Sequence, residues 1–188
     1  MKAVKLMIFF FFLVTSLKSQ VKFSSINPEA GRGLSFTYDP KGTALENEQV
    51  IKCNVFSFVS LIPKITTVIL EKKGAMYHAT ISTSDSTNAV ALSFYAGHVK
   101  DLSPDGYDIK LDHQGKTTAE AYAMEAYILD QYNFYHMTGH KNDEKSVVAY
   151  NQAFILKPAL KKEFIADYLP IIYHVNKEAG LQLFNENL

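Results

Sequence analysis

The 188-residue sequence balances 19 Lys and Arg against 19 Asp and Glu, so no net field draws nucleic acid or an anionic membrane, which argues against a nucleic-acid role. Hydrophobic residues make up 47% of the chain and aromatics 13% without any Trp, enough for a core packed mainly by Phe and Tyr. A single cysteine, Cys53, excludes an internal disulfide and a dithiol site.

The N-terminus reads as an export signal. Lys2 and Lys5 precede an apolar run from Leu6 to Val14, the polar pair Thr15-Ser16 follows, and Ser19-Gln20 offers a cleavage point. An apolar run this short falls below the roughly 20 residues a spanning helix needs, so the expectation is a cleaved signal peptide over 1–19 and no stable membrane span afterwards. The expected localisation is periplasmic, cell-envelope or extracellular. Residues 20–32 read as a linker, with Gly31-Arg32-Gly33 too short to cradle a phosphate and placed before a strand.

Period-2 runs separated by turn residues follow from Gly33 to His113. Leu34 to Tyr38 alternates and is turned by Asp39-Pro40-Lys41-Gly42. Ile51, Cys53 and Val55 share a face, and Thr66 to Glu71 places Val68 and Leu70 together. Lys72-Lys73-Gly74 closes a predicted hairpin onto Met76 to Ser82, with Tyr77, Ala79 and Ile81 on one side. Val90, Leu92, Phe94 and Ala96 form another row, and Tyr107, Ile109 and Leu111 the last. Six or seven such runs fit an antiparallel immunoglobulin-like β-sandwich over 33–115.

At Thr117-Thr118 the apolar spacing changes to three or four, and a helix capped by one of these threonines is predicted to run to the vicinity of Thr138-Gly139. A second helix spans about Asp143 to Leu156 and stops before Pro158. A third runs from Ala159 to Val175, bent or broken at Pro170, and a fourth runs from Lys177 onward. The fold class is therefore α+β: the sandwich, then a helical segment over 116–188.

Candidate chemistry is sparse. His136-x-x-x-His140 has the spacing of two ligands on a helix face, yet Gly139 interrupts that face, so a solvated helix terminus is the better reading and no metal is expected. The remaining histidines lie alone, no Gly-x-Ser-x-Gly elbow occurs, and Cys53 sits in a strand as a buried structural thiol. No catalytic residue or cofactor is assigned. If Ile51, Cys53 and Val55 face the core, unbroken alternation sends Phe56 and Phe58 to the opposite face. There they are covered by the helical segment or relieved by a bulge near Ser57, or else they form a surface for a partner. The aromatic wrapping of the first helix by Tyr122, Tyr127, Tyr132, Phe134 and Tyr135 predicts that it packs against two neighbours, one of them the sandwich.

The run Leu34 to Leu45, which contains Phe36-Thr37-Tyr38-Asp39-Pro40, resembles the opening strand of a domain at the N-terminus of exported thioredoxin-like proteins. The similarity continues through Leu70-Glu71-Lys72-Lys73-Gly74 with Tyr77, Leu92 to Gly97, and Asp105-Gly106-Tyr107. Ala149 to Pro158 is similar to the second helix of a tetratricopeptide repeat, without a second copy one period away. In that family a thioredoxin domain bearing Cys-x-x-Cys follows, and this chain carries none, so the family's redox chemistry does not transfer. The reading that emerges is an exported, non-catalytic binding or scaffold module with a protein or envelope partner. The alternative is the accessory region of a thiol:disulfide oxidoreductase whose catalytic domain lies elsewhere.

Overall fold

Alternating side chains organise the first half of the chain into two antiparallel sheets. The structure is a computed structural model that describes residues 20–137 and 139–186, so the predicted signal peptide lies outside the described residues. In chain order the strands are β1 (Val21–Phe23), β2 (Gly33–Tyr38), β3 (Lys52–Phe58), β4 (Lys64–Ile69), β5 (Glu71–Lys73), β6 (Met76–Ser82), β7 (Ala89–Ala96), β8 (Val99–Lys100), β9 (Asp108–Lys110), β10 (Asp112–His113) and β11 (Lys116–Thr117). Helices α1 (Ala119–Gln131), α2 (Asp143–Leu156), α3 (Ala159–Glu163), α4 (Ile165–Val175) and α5 (Lys177–Glu186) follow. The fold is mixed α+β, and among the described residues every helix lies after the last strand.

One sheet has the order β1-β2-β6-β5 and the other β4-β3-β7-β8, with β9 also paired to β7; β10 and β11 form a separate small hairpin. The two sheets share a core. Leu34, Phe36, Tyr38, Tyr77 and Ile81 come from the first, and Cys53, Val55, Val90, Leu92 and Phe94 from the second. Its centre is aromatic: Tyr38 stacks on Phe94 at 4.0 Å between ring centroids, and Phe94 meets Tyr107 edge-on at 5.3 Å. The Tyr38 and Tyr107 hydroxyls both donate to Asp101 Oδ2, at 2.8 and 2.7 Å, and the Ser103 N–H donates to Oδ1 at 3.0 Å. A carboxylate only 2% exposed is thereby satisfied from both sides.

The second sheet is buried on its other face as well. Phe56 and Phe58 lie opposite Ala91 and Ala89 on that face, and these four residues belong to the core formed with the helices. Phe56 is 3% exposed and Phe58 0%. The register of β3 on β7 runs without a bulge through Ser57, so the helical layer covers these rings, and they offer no exposed partner surface. Phe58 meets Tyr127 and Tyr135 at 6.3 and 6.1 Å. Ala89 and Ala91 on β7 are small enough to let the Ala-rich face of α1 approach, and α1 is buried both there and against α2. The molecule is thus three layers: sheet, sheet, helices.

Several boundaries differ from the sequence expectation. Residues 20–32 are not a linker: Val21 to Phe23 pairs with β2, and the Gly31 N–H donates to Ser84 O at 3.0 Å. Gly31 sits at φ 77° with Asp85 where a Cβ would go, at 1.7 Å, so this glycine is fixed rather than flexible. The hairpin onto β6 is made by β5, while β4 pairs with β3 in the other sheet, so the chain changes sheets at Leu70. Helix α1 is capped by Thr118, whose hydroxyl accepts from the Ala121 N–H at 3.2 Å, and it stops at Gln131. Beyond its end His136, at φ 53°, takes the left-handed conformation. The third predicted helix breaks at Phe164 rather than Pro170, which lies inside α4.

Candidate functional site

A cleft of about 640 Å³ opens where the edge of the second sheet meets α1 and α2. Three local periodicities build it. In β9, alternation sends Ile109 toward the sandwich core and leaves Asp108 and Lys110 on the helical side. On α1, Tyr122, Glu125 and Leu129 fall on one face by their spacing of three and four. On α2, Glu144, Lys145, Val148, Ala149 and Gln152 do the same. Asp105, in the turn ahead of β9, completes the mouth.

The charges inside are organised. Lys110 Nζ pairs with Glu125 Oε1, with both side chains about a quarter exposed at 27% and 23%, and lies 5.1 Å from the centroid of the Tyr122 ring. Tyr132, 1% exposed, donates its hydroxyl to Asp108. Desolvation raises the Asp108 carboxyl above its ordinary range; the Tyr132 hydrogen bond opposes that shift and the nearby Glu125 charge adds to it. The same burial, with Asp108 beside it, pushes the Tyr132 hydroxyl far up, so it stays protonated as a donor. With Lys110 and Glu125 neutralising each other and Asp108 capped by Tyr132, the exposed Asp105, Glu144 and Lys145 are the charges offered to a ligand. Leu129 and Ala149 form an apolar floor, and Val148, 69% exposed, forms the rim. With the Lys110–Glu125 pair and Asp108 set aside, two acidic groups and one basic group remain at the mouth, a surplus of one negative charge that suits a ligand carrying positive charge on an aliphatic body.

The sequence-derived candidates fall elsewhere. His136 and His140 lie beyond the end of α1 and share a depression of about 220 Å³ with Asp101 and Tyr132. Among the described residues, no group of three or more His, Cys, Asp or Glu side chains is placed to hold a metal ion. Cys53 is 0% exposed, and desolvation raises its thiol far above the ordinary range, as for a structural core residue. Among the described residues no helix is long and apolar enough to cross a membrane. The cleft residues come from three stretches of chain, 105–110, 122–129 and 144–152, and no single motif marks them; the one visible signal was the aromatic excess on α1, which includes Tyr122. No protein-family model matches the chain, and comparison with curated proteins finds no match.

Proposed function

We propose that this protein is an exported, non-catalytic binding module of the cell envelope, with the cleft between β9, α1 and α2 as the surface that engages a protein partner. In this reading the two sheets are an immunoglobulin-like sandwich and the helices a tetratricopeptide-like layer that stiffens one wall of the cleft. The observation that carries the reading is the composition of the cleft: an apolar floor and rim beside the exposed carboxylates of Asp105 and Glu144, which outnumber the one exposed cation, Lys145, and suit a lysine or arginine side chain of a partner. The outward face of α2 extends the contact, because Val148 and Ile155, 69% and 74% exposed, stand seven residues apart on it.

A photo-cross-linking residue at Val148, in protein expressed in its own host, tests this. The expected result is a discrete cross-linked protein that is absent when the probe replaces the exposed Glu46 and is lost in the Asp105→Lys, Glu144→Lys double variant. No discrete product, or one indifferent to both charge reversals, overturns the reading. The resemblance carried by residues 34–45, 70–74 with Tyr77, 92–97 and 105–107 supports a second reading, an accessory region of a thioredoxin-like oxidoreductase. Its test is whether the coding sequence continues past Leu188 into a Cys-x-x-Cys segment.

A further inference from the structure

The sheet whose β9 side borders the cleft ends, on its other side, at β4. With six residues, β4 is twice as long as the end strands β1 and β5 of the other sheet, of three residues each. Lys64 is the one charge in Lys64-Ile65-Thr66-Thr67-Val68-Ile69, and the strand holds no proline. Ile65 and Ile69 are 52% and 67% exposed. Sheet edges are ordinarily protected by shortness, charge or proline, and this one has little of any.

The direction of its free backbone groups follows from one hydrogen bond. The Leu70 N–H donates to Ile51 O at 2.9 Å, so the pair 70 with 51 faces inward. In an antiparallel ladder successive residues alternate, and Val68, Thr66 and Lys64 therefore also turn their N–H and C=O toward β3. Ile65, Thr67 and Ile69 turn theirs outward, to the open edge. Their side chains share one face, the face that carries Phe56 and Asn54 on β3.

We propose that this edge pairs antiparallel with the same edge of a second copy of the chain, across a two-fold axis passing beside Thr67. A two-fold axis perpendicular to a sheet keeps each face continuous, so residues that oppose one another must come from the same face of both copies. The register centred on Thr67 meets that condition. It places Thr67 opposite its own counterpart and Ile65 opposite Ile69 of the partner, twice by symmetry. All outward N–H and C=O groups of Ile65, Thr67 and Ile69 then find partners, and the exposed isoleucines become cross-strand pairs. Lys64 falls opposite Leu70 of the other copy, and because Lys64 is the one charge in the strand no like charges oppose along the paired edge. The contact is isologous and closes on itself. Assembly therefore stops at two chains, and the interface is smaller than the roughly 1,600 Å² of a standard one, so the dimer dissociates on dilution.

Sedimentation of the chain as purified from its expressing cell, over a wide concentration range, reads the equilibrium directly. The expected result is a monomer–dimer transition that Ile65→Lys moves to at least tenfold higher concentration. Thr67→Pro is expected to abolish the dimer with the thermal midpoint kept within a few degrees, because it removes an outward N–H and no backbone bond to β3, only the exposed side-chain hydrogen bond that Thr67 donates to Asn54 at 2.7 Å. Register is tested by oxidation: Thr67→Cys should form a covalent dimer, since Thr67 opposes itself, whereas Thr66→Cys should not. The native Cys53, wholly buried, does not compete. A chain that stays monomeric at all concentrations, a dimer that Ile65→Lys and Thr67→Pro both leave intact, or a Thr66→Cys variant that cross-links as readily as Thr67→Cys, overturns the proposal.

Discussion

Asp101 is where one residue decides most about the sandwich core. Its carboxylate is buried between two sheets and accepts from Tyr38, Tyr107 and the Ser103 N–H. Removing one of those donors leaves a buried acceptor under-satisfied, which outweighs the small gain from burying a Phe in place of a Tyr. Tyr38→Phe is expected to cost about 1–3 kcal/mol in denaturant unfolding with the slope unchanged; a neutral result would mean that water or a neighbour replaces the bond. Asp108 makes the opposite case. Its folded carboxyl holds its proton to a higher pH than the ordinary aspartate value of 3.8, because desolvation disfavours the charge. The native state therefore binds more protons than the unfolded state in the window above 3.8 up to the raised value, and stability must fall as pH rises through it. Asp108→Asn keeps an acceptor for Tyr132 and removes the ionisation. Thermal midpoints measured from pH 4 to 7 should show the parent losing ground to the variant as pH rises; parallel curves would remove desolvation as the dominant influence on Asp108.

At the scale of elements, the meeting of α4 and α5 sets helix propensity against packing. Gly180 lies in α5, where alanine would ordinarily be favoured by about 1 kcal/mol. A Cβ there would stand 2.5 Å from Tyr173 Cα and 2.9 Å from Tyr173 N, both backbone atoms of α4 that cannot swing aside. Packing wins: Gly180→Ala is expected to destabilise by about 1–3 kcal/mol despite its better propensity, checked by chemical denaturation. The ends of elements also show what local sequence encodes. Helix α2 was legible at both ends, because Asn142 caps it by accepting from the Lys145 N–H at 3.0 Å and Pro158 follows its last residue closely. The end of α1 was not, because a long-range contact sets it. Tyr132 is drawn to Asp108 on the sheet and Tyr135 donates to Leu61 O at 3.0 Å, neither of which local spacing records. The sheet change at Leu70 was hidden for a related reason. Alternation reports which way a side chain points, and Val68 and Leu70 both face the same core whichever sheet holds the strand. A three-residue strand such as β1 is simply too short to show a period.

For the molecule as a whole, the question is whether the helices form a unit of their own. Their core contains Phe56, Phe58, Ala89 and Ala91, so the helical layer is completed by side chains that the sheet supplies. The sequence pattern exposed half of this: alternation placed Phe56 and Phe58 on the far face of β3, and the aromatic excess on α1 asked for a second neighbour. What it could not show was the cleft, because Asp108, Glu125 and Glu144 meet only after α1 has docked on β7 and β9 and α2 on α1. Docking thus precedes the site, and the ring that secures docking is Phe58, 0% exposed with Tyr127 and Tyr135 edge-on around it. Phe58→Ala removes that ring from a face already lined by Ala89, which is too small to fill the gap. The expected cost is about 3–5 kcal/mol. Because both halves share this wall, the loss should lower the far-UV helical signal and the near-UV tyrosine signal at the same midpoint, as one shifted transition. Two separated transitions in the variant, with only the helical one displaced, would mean that the sandwich stands without its third layer and that the helices are an appendage rather than part of a single fold.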